Sequence, residues 1–155
     1  MNGKDYYPTP ISAFEPLLNF LPITWFYWEP ACGDKRLVNF LNKKGFKADG
    51  NDIKNGYDFL QDKTDRECII TNPPFSICED FIIHSLEKSM HTIMLLRLSF
   101  LGSQRRHNFF KKHPINGLFV LSKRPSFIKG KTDNSEYAWF CWSTERQLQG
   151  INHLI

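Results

Sequence analysis

The chain has 155 residues, 41% of them hydrophobic and 15% aromatic, and a formal net charge of +4. That length and globular composition predict a single domain over 1–155 with its own core. No apolar run is long enough to span a membrane, and the four cysteines never pair as CxxC. The five histidines show no HxxxH or HExxH spacing, so neither a membrane partner, a disulfide framework nor a metal site is expected.

In chain order, residues 11–20 read as a short helix that enters after Pro10 and ends before Pro22. "TWFYW" (24–28) is a continuous apolar strand of the kind buried on both faces of a parallel sheet. "EPACGD" follows, and then a helix with Leu37, Phe40 and Leu41 at helical spacing and Gly45 as its C-cap. A strand near 46–51 leads to Asp52. "IIT" (69–71) is the next strand, and it is stopped by Asn72-Pro73-Pro74-Phe75, because two prolines cannot donate ladder hydrogen bonds. Ser76 and Glu79 form an S-x-x-E capping box that opens a helix through about 90, with a core face of Phe81, Ile82, Leu86 and Met90. "TIMLLRL" (92–98) is a strand, 103–112 a helix, and 117–122 and 137–142 are strands that complete the chain. The alternation implies a Rossmann-like, mostly parallel doubly wound α/β sheet. The last two strands leave no room for a helix between them, so they form a C-terminal antiparallel hairpin at one edge.

Charge is unevenly divided. Residues 1–87 carry a net −4 and residues 88–155 a net +8. From Arg97 to Lys131 there are nine Lys or Arg and no acid, interleaved with Phe100, Phe109, Phe110, Phe119 and Phe127. Such a stretch suits a phosphate backbone and unstacked bases. It makes Arg97, Arg105, Arg106, Lys123, Arg124, Lys129 and Lys131 the expected nucleic-acid contacts.

"WEPACGD" runs from strand to glycine turn to helix, the geometry that receives a nucleotide-like ligand on free helix N–H groups. A dinucleotide would want G-x-G-x-x-G, and one glycine disfavours NAD. Asp52, at the end of the second strand, can accept both hydroxyls of a ribose. Asp58 can accept from an adenine amino group, and Phe59 can cover the ring. Each acid alone reads as a surface residue or a cap; the ordered set at strand-end spacing reads as a nucleoside site.

The order YPTP, EPACG, DI, YDFL, NPPF resembles the S-adenosylmethionine-dependent amino methyltransferases, especially the small phage-type DNA adenine N6-methyltransferases, over roughly residues 5–142. The resemblance implies S-adenosyl-L-methionine as cofactor. Its methionine part would be held by Glu29, Pro30, Ala31, Cys32 and Gly33, its ribose by Asp52 beside Ile53, and its adenine by Asp58 and Phe59. Tyr7, Pro8, Thr9 and Pro10 would lie near its carboxylate. Asn72, which also borders the cofactor, would act with Pro73, Pro74 and Phe75 in catalysis. The Asn72 side-chain oxygen and Pro73 carbonyl would accept the two N–H groups of a target amine, while Phe75 stacks on a flipped base. The chain has no Pro-Cys dipeptide, as cytosine C5 methylation would need, and by resemblance Asn in first place favours adenine over cytosine N4.

One departure stands out: Lys35 occupies the place of the family's second glycine. By the same resemblance no separate target-recognition domain is expected, so sequence selectivity would have to come from 97–131 or from a partner. The competing readings are an RNA adenine or protein glutamine methyltransferase, and a non-catalytic module that binds cofactor or DNA. The N-terminal "MNGKDYYPTP" lacks the apolar core of a signal peptide. Reduced thiols in a cytoplasm, a host's if the gene is phage-borne, are therefore expected. The oligomeric state is open.

Overall fold

A computed structural model describes residues 7–131 and 133–155. The first six residues of the N-terminal reading lie outside them. The described residues form one seven-stranded sheet. Its strands are β1 (Phe26–Glu29), β2 (Lys47–Gly50), β3 (Arg66–Thr71), β4 (Ser89–Arg97), β5 (Gly117–Leu121), β6 (Tyr137–Trp142) and β7 (Gly150–Leu154), in the order β2-β1-β3-β4-β6-β5-β7. All neighbours are parallel except those of β6, which runs antiparallel to both β4 and β5. The helices are α1 (Ile11–Phe14), α2 (Arg36–Lys43), α3 (Cys78–Lys88) and α4 (His107–Lys112). The mostly parallel α/β sheet with its antiparallel β5–β6 hairpin is the architecture expected from the sequence.

Each strand feeds two cores, because successive side chains alternate across a sheet. Tyr27, Cys68, Ile70, Ile93, Leu95, Phe119, Tyr137 and Trp139 pack with Phe14 and Leu17 on one face. Ile69, Met94, Leu96, Leu118 and Phe140 pack with Phe81, Ile82 and Phe100 on the other. All six residues of β6 are buried, as a strand covered on both faces requires.

Several elements differ from the sequence reading. Residues 11–20 divide into α1 and a 3-10 turn over Glu15–Phe20, with Pro16 just inside it. The S-x-x-E box does not open α3. A 3-10 turn over Phe75–Ile77 intervenes, the helix begins at Cys78, and Glu79 turns outward to the Arg106 Nε at 3.0 Å. That helix ends at Lys88, where the Ser89 hydroxyl donates to the Ser85 carbonyl at 2.8 Å. Met90 therefore belongs to β4 and is 74% exposed rather than part of the core. The chain also has a further strand, β7, parallel to β5 and outside it, so the hairpin does not form the sheet's edge. Its close docking requires Gly117, where an added Cβ would fall 1.9 Å from the Leu148 carbonyl oxygen.

Topology positions the site. From β1 the chain crosses to β2 on one side and then to β3 on the other, so a switch point opens beyond the carboxyl ends of β1 and β3. Open α/β sheets bind ligands in that crevice.

Candidate functional site

A cavity of about 330 Å³ fills this crevice, lined by the end of β1, the turn after it, Asp52–Lys54 beyond β2, the Tyr7–Thr9 segment and the Asn72–Phe75 segment. Its size suits a small-molecule ligand. Glu29 ends β1 with its side chain buried. Oε1 accepts a hydrogen bond from the Thr71 hydroxyl at 2.9 Å, whereas Oε2 has no partner among the described residues. Burial pushes the Glu29 carboxyl well above the usual carboxylate range; the Thr71 bond opposes this and nearby Asp52 adds to it.

The turn after β1 is shaped by two left-handed residues, Gly33 (φ +53) and Lys35 (φ +61). Lys35 is the single non-glycine residue of positive φ among the described residues. Lysine thus adopts the conformation for which glycine is ordinarily used. Its side chain turns toward Asp49 at 3.4 Å and does not line the cavity.

Asp52 is buried and joins the ends of two strands. Oδ2 accepts from the Gly33 N–H at 2.8 Å, and Oδ1 caps the 3-10 turn Ile53–Asn55 by accepting from the Lys54 N–H at 3.0 Å. Beside it, half-exposed Ile53 offers an apolar surface to the cavity. β2 can approach this closely because Gly50 lacks a side chain: its Cβ would lie 2.4 Å from the Glu29 carbonyl oxygen.

Asn72 follows directly on β3. Its Nδ2 donates to the Thr9 hydroxyl at 3.2 Å, and its buried Oδ1 has no partner among the described residues. Phe75 lies against Tyr7, ring centroids 5.9 Å apart, and both rings also border a second cavity of about 430 Å³. That chamber is walled by Arg97, Phe127, Ile128, Lys131 and residues 133–135. The two cavities therefore meet at the Tyr7–Phe75 partition.

Of the residues expected from sequence, Tyr7, Pro8, Thr9, Glu29, Ala31, Cys32, Gly33, Asp52, Ile53, Asn72, Pro73, Pro74 and Phe75 are brought together here. Burial, with Glu29 and Asp52 nearby, pushes the Cys32 thiol up to about 11, which keeps it protonated and unreactive. Pro10 instead precedes α1 as its N-cap, and Pro30 is buried outside the lining. Asp58 and Phe59 do not reach the cavity. Asp58 caps a 3-10 turn through the Leu60 N–H at 3.1 Å, and Phe59 packs in the core against Phe81 and His84. Asp34, Arg36, Leu37 and Lys54 also line the cavity although none of them is among the expected site residues, Leu37 being read only as part of a helix core face. Their positions just after the glycine turn and just after Asp52 were the available signal.

The basic stretch is one-signed in sequence but not in space. Arg106 pairs with Glu79 and lies 3.9 Å above the Phe100 ring. Arg124 pairs with Glu136, and Arg97 lies 3.9 Å from Asp133. Arg105, Lys123, Lys129 and Lys131 are exposed. Among the described residues no group of His, Cys, Asp or Glu could hold a metal ion, and no helix is long and apolar enough to cross a membrane.

No protein-family model and no curated protein matches the sequence. Solved structures do resemble the fold. A candidate class I S-adenosylmethionine-dependent methyltransferase from Listeria monocytogenes has a TM-score of 0.64 at 14% identity, over 99% of this chain and 66% of the other. A candidate RNA methyltransferase from Pyrococcus horikoshii gives 0.63 at 14% identity, over 90% of this chain and 87% of that one. The M protein of the type I restriction enzyme EcoKI gives 0.54 at 12% identity, over 93% and 45% respectively. The chain thus spans just under two thirds of the Listeria protein and less than half of the restriction subunit. These likenesses define the fold as that of Rossmann-like class I methyltransferases.

Proposed function

We propose that the chain transfers the methyl group of S-adenosyl-L-methionine to the exocyclic N6 amine of adenine in DNA. The observation that carries this reading is the buried, unpartnered Oδ1 of Asn72 beside the partition between two cavities. A buried acceptor without a donor costs about 1–3 kcal/mol, so a ligand N–H that reaches it recovers that cost.

The smaller cavity fits the cofactor through its donor and acceptor set. Glu29 Oε2 awaits a cationic donor and suits the ammonium of the methionine part. Asp52 retains lone pairs beyond its two backbone bonds for ribose hydroxyls, and Ile53 offers an apolar face for the adenine ring. When bound, the cofactor supplies an electrophilic methyl group on a sulfonium.

The residues of this chain do the rest. Thr9 anchors Asn72 Nδ2 and so fixes the amide with its oxygen free. That oxygen and the Pro73 carbonyl accept the two N–H groups of the target amine and draw its nitrogen toward sp³ character, so that the lone pair becomes available. The prolines hold both acceptors in place, which is electrostatic preorganisation and needs no base before the transfer; the methylated nitrogen would then release one of its two protons to solvent. Phe75 offers its ring to a base that has left the duplex. The exposed cations Arg105, Lys123, Lys129 and Lys131 supply phosphate contacts. The resemblance of the motif order to DNA enzymes favours DNA over RNA or a protein amide.

The test presents the protein and methyl-labelled cofactor with unmethylated DNA, RNA of matched sequence and a glutamine-bearing protein. Label is expected in DNA, recovered as N6-methylated deoxyadenosine. Asn72→Ala should reduce the single-turnover rate by about 100-fold or more while melting temperature and cofactor affinity stay unchanged. Label confined to RNA or protein, or an Asn72→Ala enzyme with the wild-type rate, would overturn the reading.

A further inference from the structure

The larger chamber is bordered by a ring of contacting side chains, with buried Tyr137 behind its wall. Phe75 meets Tyr7 at 5.9 Å between centroids, Tyr7 meets Phe127 at 6.4 Å, and Phe127 meets Tyr137 at 5.2 Å. Arg97 closes the circle: its Nε donates to the Tyr137 hydroxyl at 3.2 Å, and its guanidinium carbon lies 5.1 Å above the Phe75 ring. The Tyr137 hydroxyl in turn donates to Asp133 Oδ2 at 3.0 Å, while Asp133 Oδ1 accepts from the Ser135 N–H at 2.8 Å. Asp133 also donates its N–H to the Pro125 carbonyl at 3.3 Å. One guanidinium therefore joins the segment that ends β3 to the loop between β5 and β6.

The placement follows from strand geometry. Arg97 is the last residue of β4, on the same face as Ile93 and Leu95, and directly opposite Tyr137 in the ladder. An arginine at that register reaches out of the core at the rim, where its planar, multiply donating head can serve a phenol, a carboxylate and an aromatic face together.

We infer that Arg97, with Tyr137, is a positioning residue of the substrate chamber that fixes Phe75 and Phe127 relative to each other, and is not a phosphate contact. The assignment rests on the proposed function for what enters the chamber, a planar base, but the bracing of the loop stands independently of turnover.

Two variants test it: Arg97→Lys, which keeps the charge but loses the planar fork, and Tyr137→Phe, which keeps the ring but loses the hydroxyl. Both are compared with wild type by deuterium uptake of residues 122–136 without substrate, and by steady-state kinetics on unmethylated DNA. Uptake in that segment should rise in both, with melting temperature little changed. KM for DNA should rise by about tenfold or more, as expected when a wall of the chamber is misplaced. Cofactor affinity and the salt dependence of DNA binding should not change. The double variant should be no worse than the more affected single variant, since the two side chains act as a unit. Unchanged loop exchange in Arg97→Lys, or full retention of the wild-type KM by it, overturns the inference, because a phosphate contact would tolerate lysine. Absence of methyl transfer by the wild-type protein would instead defeat the proposed function, and the exchange result would still decide the role of Arg97.

Discussion

Replacing Glu29 by Gln separates the two roles open to this buried carboxyl. In the ligand-free protein, burial raises its pKa well above the ordinary carboxylate value. An unfolded glutamate ionises near pH 4.3. Above that pH the unfolded chain has released a proton that the folded chain retains, so the wild type loses stability as pH rises toward the folded pKa. Glutamine keeps the acceptor for the Thr71 hydroxyl and does not titrate. The stability curves of wild type and Glu29→Gln should therefore converge near pH 4 and separate above it, with the variant more stable at pH 7. Cofactor binding should show the opposite order. Loss of a hydrogen bond to a charged group costs about 1.5–3 kcal/mol, or roughly 10- to 150-fold in Kd. Calorimetry in two buffers of different ionisation enthalpy should detect proton release on cofactor binding by the wild type, because Oε2 must ionise to meet a cation, and none by the variant. Equal affinities, with equal pH dependence of stability, would remove Glu29 from both roles.

Lys35→Gly exchanges a left-handed lysine, strained by about 1–2 kcal/mol, for a residue that costs about 0.5–1 kcal/mol more to order. Denaturant unfolding should find a gain of no more than about 1.5 kcal/mol, with cofactor affinity unchanged because the lysine head faces Asp49. Gly50→Ala drives a methyl into the Glu29 carbonyl. It should lower stability by about 1–3 kcal/mol in thermal melts and weaken cofactor binding with it. Arg105→Ala combined with Lys123→Ala should reduce the magnitude of the salt slope of DNA binding by up to about 2. Arg106→Ala should instead lower the melting temperature, since its guanidinium is committed to Glu79 and Phe100.

The β1 turn and the β3 end were legible because each joins a strong apolar run to residues that cannot continue a strand. The other elements depended on information that the local sequence lacks. β7 reads GINHL, with four of its five residues exposed or half-buried, and forms because Gly117 lets Leu148 approach β5. Met90 fits the helical period of α3, but the Ser89 hydroxyl bonds to the Ser85 and His91 carbonyls and turns the chain directly into β4. Asp58 and Phe59 carry the side chains a purine would want, yet Asp58 caps its own turn and Phe59 completes a core cluster. Tertiary packing alone distinguishes these uses. The same holds for the basic stretch, whose arginines meet acids from 79, 133 and 136, two of them just past its end.

Among the described residues two side-chain oxygens without partners, Glu29 Oε2 and Asn72 Oδ1, are buried at the ends of the neighbouring strands β1 and β3. At about 1–3 kcal/mol each, such groups consume a sizeable part of the 5–15 kcal/mol by which a domain of this kind is stable. Simple substitutions would remove them: an apolar residue in place of Glu29, or an alanine after β3. Their surroundings instead hold them in place, with Thr71 fixing one carboxyl oxygen and Thr9 fixing the amide nitrogen, so that in each case the free oxygen is the one left over. An arrangement that commits two anchoring bonds and leaves two oxygens open is preorganised for groups of a ligand. One such oxygen lies at the carboxyl end of each strand flanking the switch point, and under the proposed function the ionisable one meets a cation and the neutral one an amine. A methyl donor carrying an ammonium and a methyl acceptor carrying an amine require that pair together, whereas a module that only bound nucleotide would have use for the first alone.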